Sequence, residues 1–160
     1  MTPAEGQPRD PDVLVRLQGE WTFVREVPGK ATMTGRARIT PTGEGRARYD
    51  ETARVRLADG QTLTGSQSYR YRRLPAGNGF DVLFAESEEL FERLDFQPCA
   101  DGSLRADAEH RCPPDRYVSK FTLDREDHLE VEHTVTGPRK DYVVRTTYRK
   151  VERSARRERS

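Results

Sequence analysis

Apolar and polar residues alternate with a period of two along most of this chain, and Gly, Pro, Asp and Asn interrupt the alternation at short intervals. Half-buried strands need that pattern, because successive side chains of a strand point to opposite faces. Residues 13–17 (VLVRL) can form a helical turn or two leading into the first strand, after which helical spacing mostly disappears. In residues 20–27, Trp21, Phe23 and Arg25 share a face, and Pro28-Gly29 ends the run. Residues 32–40 follow, with Met33, Gly35, Ala37 and Ile39 in phase. Residues 46–57 and 62–74 form a long hairpin about an Asp59-Gly60 turn, a strong hairpin signal. Tyr69 and Tyr71 lie on one face of its second strand, Arg70 and Arg72 on the other.

Further strands are predicted over 80–84, 103–112, 115–123, 128–136 and 140–152. Residues 86–96 read both ways: Leu90, Phe91 and Leu94 fit a helical turn, while Leu94 and Phe96 also fit a strand. The total is nine or ten strands, joined by hairpins, with no crossover helix. A meander of that length leaves two exposed edges unless it closes on itself. The expected fold is therefore an all-β, antiparallel up-and-down barrel occupying residues 13–151, wide enough to enclose a small ligand. An immunoglobulin-like sandwich is the alternative, but it wants Greek-key crossings and a denser apolar pattern.

Composition narrows the class. With 160 residues, 33% hydrophobic and 34% charged, the chain can bury a sparing core but cannot cover both faces of a large sheet with helices. No apolar run is long enough for a membrane helix, and residues 1–12, rich in Pro, Gly and Asp, read as a disordered tail without a secretory leader. The two cysteines, Cys99 and Cys112, allow one disulfide, though a reduced cytoplasmic protein is the expected setting. Residues 149–160 carry six basic and two acidic side chains, and beyond the barrel residues 152–160 read as a disordered, solvated basic tail. The net charge of +1 argues against a nucleic-acid partner, and a membrane partner is not expected. A monomer or a homodimer is expected, the long hairpin offering an edge for the latter.

The segment Leu17-Gln18-Gly19-Glu20-Trp21 resembles the Gly-x-Trp signature that opens the first strand of lipocalins and their relatives, the calycins. The resemblance implies that Trp21 closes one end of the barrel, with a basic residue of the last strand over its ring. Arg145 and Arg149 are available, and Arg149, near the strand end, is the better placed. Two further stretches, His110-Arg111-Cys112-Pro113-Pro114-Asp115-Arg116-Tyr117 and Gly137-Pro138-Arg139-Lys140-Asp141-Tyr142, join residues 19–25 in resembling a family of small bacterial and fungal lipocalin-like proteins of unknown function. That resemblance spans about residues 14–151 and implies the fold, with no activity to carry over.

Chemistry must come from the residues. His110 and Cys112 share a strand face, as do Asp115 and Tyr117 beyond the Pro-Pro step, and His133 sits on a neighbouring strand. No recognised metal-ligand spacing, P-loop or dinucleotide fingerprint is present, so neither a metal nor any other cofactor is expected. A Cys-His nucleophile pair would have its side chains rooted about 6 to 7 Å apart, and no helix N-terminus is at hand to activate the thiol. Arg25 shares the face of Trp21 and Phe23, so it needs a partner, and Glu51 or Asp141 can serve. Lys140 and Tyr142 share a face of the last strand, where Lys140 or Arg139 can hold an anionic group. Each of these sets also has a plain reading, as core packing or a solvated, salt-bridged hairpin.

The expected function is the binding of a small, partly apolar or aromatic, anionic molecule in the barrel. Trp21, Phe23, Tyr69, Tyr71, Phe84 and Phe121 supply walls. Arg25, His110, Tyr117, His133, Lys140 and Tyr142 supply polar contacts. The alternative is a cofactor-independent isomerase, dehydratase or decarboxylase in the same cavity. There His110 or Asp115 acts as base, Tyr117 as acid, and Arg25 or Lys140 steadies negative charge. A filled barrel without a cavity is the third reading.

Overall fold

The computed structural model describes residues 12–152. A one-turn helix, α1 (Val13–Leu17), precedes eleven antiparallel strands: β1 (Gly19–Val27), β2 (Ala31–Gly43), β3 (Arg46–Leu57), β4 (Thr62–Arg73), β5 (Gly79–Phe84), β6 (Leu90–Asp95), β7 (Gln97–Pro98), β8 (Leu104–Cys112), β9 (Asp115–Leu123), β10 (His128–Thr136) and β11 (Asp141–Lys150). They form one sheet in the order β6-β5-β4-β3-β2-β1-β11-β10-β9-β8-β7, so the first and last long strands pair and the meander curls into a barrel. The seam falls between β6 and β8, which lie side by side without a backbone ladder. Across one end of the seam the chain itself runs from β6 into β7.

The ambiguous stretch 86–96 resolves as β6, and the eleventh strand is the two-residue β7, paired with β8. It escapes sequence reading because a two-residue bridge has no periodicity to detect. The expected basic tail lies outside the described residues apart from Glu152, as does the expected N-terminal tail apart from Asp12, while Arg149 and Lys150 belong to β11. Asp12 is the N-cap of α1, its carboxylate accepting from the N–H groups of Leu14 at 2.9 Å and Val15 at 3.3 Å.

Two glycines let the strands bend this tightly. A Cβ on Gly79 would stand 1.8 Å from the Leu94 carbonyl oxygen, and one on Gly35 would stand 2.3 Å from that of Thr52 and 2.7 Å from the Phe23 ring. Barrel corners need such close approaches.

The core fills one end of the barrel. Val13, Leu14 and Leu17 of α1 are buried against Trp21, Phe80, Leu94 and Leu123, so the short helix acts as a plug. Trp21 donates its indole N–H to the Leu17 carbonyl at 2.9 Å. Lys150, rather than Arg149, carries the cation over that ring, with Nζ 5.6 Å from the centroid. The cause is strand parity: Trp21 lies opposite Lys150 in the β1–β11 ladder, whereas Arg149 lies opposite Thr22 on the outer face, near His128.

Candidate functional site

Above the packed end, three strands put polar groups on the inner face at one level. Arg25 (β1) grips Glu51 (β3) in a two-pronged pair, Nη1 to Oε2 at 2.8 Å and Nη2 to Oε1 at 2.9 Å. Arg25 also donates to Thr146 Oγ1 at 2.9 Å and to the Tyr148 hydroxyl at 3.2 Å on β11. Tyr49 donates to Glu51 Oε1 at 2.5 Å and shares a 2.9 Å bond with the Tyr148 hydroxyl. The network gives each buried charge both a counter-charge and hydrogen bonds, the condition for tolerating an ion pair away from water. Burial works to raise the Glu51 carboxyl, but hydrogen bonds and charge from Arg25 outweigh it and hold the group below its usual 4.5. Of the two partners foreseen for Arg25, Glu51 is the one used; Asp141 is exposed at the start of β11.

This network floors a cavity of about 250 Å³ that opens toward the β8–β9 and β10–β11 turns. Tyr69 and Tyr71 (β4), Phe91 (β6) and Phe121 (β9) form much of its wall, with Tyr117, Tyr142 and three valines of β10 and β11 among the rest. Tyr69 and Phe91 stack with ring centroids 5.9 Å apart. A third face is polar. Glu92 (β6) is 5% exposed, and its Oε2 has no hydrogen-bond partner among the described residues. Burial pushes its carboxyl up to about 7, against a hydrogen bond from Ser119 that favours the charged form. Ser119 (β9), fully buried, lies 2.7 Å from Nδ1 of His133 (β10). Burial, helped by the charge of Arg25, lowers His133 to about 4, so its ring is neutral at pH 7.

Of the residues singled out from sequence, Arg25, Tyr69, Tyr71, Tyr117, His133 and Tyr142 line this cavity. His110 does not: it fills the seam, its ring 5.1 Å from Phe91 and 6.1 Å from Tyr117. Lys140 is at the rim, donating to the Tyr117 hydroxyl at 3.1 Å and pairing with Asp115 Oδ2 at 3.1 Å. The set His110, Asp115 and Tyr117 therefore does not converge on one point, since Asp115 is turned toward Lys140 and Gly137. Cys112 is exposed at the end of β8, and no hydrogen bond links it to His110 among the described residues. Of the expected wall residues, Phe121 lines the cavity, Trp21 and Phe23 belong to the packed end, and Phe84 is at the surface.

Glu92, Ser119 and Gln67, which lines the cavity from β4, are not among the residues that the sequence singles out. Glu92 is in phase with Leu94 and Phe96, so the strand reading of 86–96 would have turned it inward. A bulge then brings Phe91 to the same side, because the register slips between Val82–Glu92 and Leu83–Leu90. Outside the barrel, Asp124, Glu126 and His128 place one ligand atom each within 4.8 Å of one another. Asp124 already accepts the N–H groups of Glu126 and His128 there, which is turn chemistry.

Fold and cavity together define a small antiparallel β-barrel, plugged at one end by a helix and hollow at the other. The chain belongs to a family of unknown function, DUF6314, whose defining pattern matches residues 17–150. No curated protein matches it. Among solved structures it is similar to EF1p2_mFAP2b bound to DFHBI, at 13% identity over 88% of this chain and 98% of that one, with a TM-score of 0.44. It is also similar to a redesigned β-barrel, mFAP1, bound to DFHBI, at 14% identity over 87% and 99% of the two chains, with a TM-score of 0.42.

Proposed function

We propose that the barrel binds a small, flat, partly aromatic molecule between the Arg25–Glu51 floor and the Tyr117–Tyr142 mouth. The observation that carries this reading is the cavity itself: about 250 Å³, walled by aromatic rings, with a buried carboxyl whose second oxygen has no partner among the described residues. Ligand sites combine such apolar walls with a few aimed polar groups. An acidic group on the ligand, expected from the sequence, would have to meet Arg25, whose two Nη atoms are already held by Glu51. The polar set therefore favours a hydrogen-bond donor on the ligand. The Gly19-x-Trp21 start with Lys150 over the ring supports placing the barrel beside the calycins.

The test is native mass spectrometry of gently purified protein before and after denaturation, joined to thermal shifts with a panel of small aromatic compounds. Binders should stabilise the native protein and lose that effect in Val144→Trp, which fills the cavity from β11. Stabilisation that survives Val144→Trp would move the site elsewhere.

A second reading, proton-transfer catalysis without a cofactor, is favoured by one feature. A buried carboxyl titrating at about 7 in the cavity wall is suited to act as general acid or base. In that reading the working group is Glu92, with His110 and Asp115 outside the reacting volume.

A further inference from the structure

We infer that Glu92, backed by Ser119 and His133, is the recognition point for a protonated amine carried on an aromatic frame. This rests on the proposed ligand-binding role and names its ligand class.

Charge placement comes first. Inside the cavity Arg25 is balanced by Glu51 through two hydrogen bonds, and His133 is neutral. Glu92 is the remaining carboxyl, and among the described lining residues no cation answers it. A buried carboxylate without a counter-ion is costly, so a ligand that brings the missing positive charge gains what the empty site lacks.

Geometry comes second. Glu92 Oε2 is buried in the cavity wall with no donor among the described residues, and an unsatisfied buried acceptor is the position where a ligand's N–H replaces lost water. Ser119 serves the carboxylate from β9 and is itself fixed by His133 Nδ1 at 2.7 Å, which orients the pair from behind. The rings of Tyr69, Tyr71, Phe91 and Phe121 surround this point, and aromatic faces attract cations electrostatically.

The groups facing Glu92 are of few kinds. Around the cavity stand Arg25 on β1, Tyr49 and Glu51 on β3, Tyr69 and Tyr71 on β4, Tyr117 on β9, His133 on β10 and Tyr142 and Tyr148 on β11, and across the seam β8 brings the His110 ring 5.1 Å from Phe91, the residue before Glu92. Burial raises Tyr69 and Tyr71 above their usual 10, so they remain neutral when Glu92 ionises. Asp81, on the adjacent strand β5, lies on the outer face and is held by Arg72 and Arg93.

The experiment compares three probes with one ring system: tryptamine, 3-ethylindole and indole-3-propionate, by calorimetry on the full chain. At about pH 8.5 tryptamine should bind about tenfold or more tighter than 3-ethylindole, the difference expected for a charge-assisted hydrogen bond. That preference should fall toward unity at about pH 5.5, where Glu92 takes up its proton while the amine stays charged. Glu92→Gln should abolish the preference and leave 3-ethylindole binding intact. Should that variant fail to fold, the pH dependence of the native protein gives the same reading. Equal binding of tryptamine and 3-ethylindole at both pH values overturns the amine subsite while sparing the ligand-binding role. Tightest binding of indole-3-propionate also overturns it, in favour of Arg25 or Lys140. Failure of all three probes overturns it together with the aromatic-ligand reading.

Discussion

The ammonium of Lys150 stands 5.6 Å from the centre of the Trp21 ring, and the same ammonium donates to the Arg16 carbonyl at 2.6 Å. One side chain thus joins the last strand, the first strand and the helical plug. Gly19 has its φ at 125°, and a Cβ there would come 3.3 Å from Lys150 Cε, so the glycine leaves room for the lysine stem.

This arrangement predicts graded losses of stability. Trp21→Ala should cost about 3 to 5 kcal/mol, as expected for emptying a fully buried aromatic site. Trp21→Phe should cost less, because it keeps most of the volume and loses the bond to Leu17. Lys150→Met keeps the stem and should cost about 1 kcal/mol through the lost hydrogen bond. Urea unfolding monitored by far-ultraviolet circular dichroism measures all three. Equal losses for Trp21→Phe and Trp21→Ala would mean that the indole N–H, not the ring volume, anchors the plug.

The Arg25–Glu51 pair should behave as a unit. Either Arg25→Met or Glu51→Gln alone strands a buried polar group and should cost about 3 to 5 kcal/mol. The double variant should cost clearly less than the sum, a coupling readable in a double-mutant cycle. The folded Glu51 carboxyl titrates below its usual 4.5, so its contribution is present above that pH and is lost as pH falls through the lower, folded value. In Arg25→Met burial is left to raise that carboxyl, so protonation relieves the stranded charge, and the variant's loss of stability should be smaller in acid than at pH 7.

Strand phase explains what was legible beforehand. Trp21, Phe23 and Arg25 alternate cleanly, so the inward turn of Arg25 and its need for a partner followed from spacing alone. Tyr69, Tyr71, Tyr117 and His133 likewise point inward with their strands. The failures sit where phase is lost or ends. Arg149 and Lys150 differ by one residue, and only the ladder register decides which meets Trp21. His110 keeps its phase, but its strand borders the seam, so its ring fills a gap between strands instead of facing the cavity. Glu92 lies in a bulged strand where Phe91, its neighbour in sequence, turns to the same side, so simple alternation cannot place both.

Gly79 tests the seam side of the barrel. A methyl group there would sit 1.8 Å from a backbone oxygen of β6, which cannot move without breaking the β5–β6 ladder. Gly79→Ala should therefore cost about 3 kcal/mol or more, at the upper end of overpacking penalties. Hydrogen exchange should show the loss first in β5 and β6. Unchanged protection there would mean that the corner relaxes around the methyl group.

Glu92 and His133 give the ligand-free protein a distinctive pH profile. Glu92 rises from 4.5 to about 7 on folding, so the folded state holds its proton more tightly, and this contribution is lost as pH rises through that window. His133 falls from 6.5 to about 4, so the unfolded state takes up its proton first, and this contribution is lost as pH falls through its own window. Each shift corresponds to about 3 kcal/mol. Between pH 4.5 and 6.5 the two slopes oppose and cancel, leaving a plateau. Removing one group should expose the other. Glu92→Gln should leave stability rising with pH from about 4 to 6.5, and His133→Gln should leave it falling from 4.5 to about 7. Chemical denaturation at half-unit pH steps reads both slopes. Parallel profiles for the native protein and both variants would mean that neither group changes its proton affinity on folding, and the cavity would then be wetter than its walls imply.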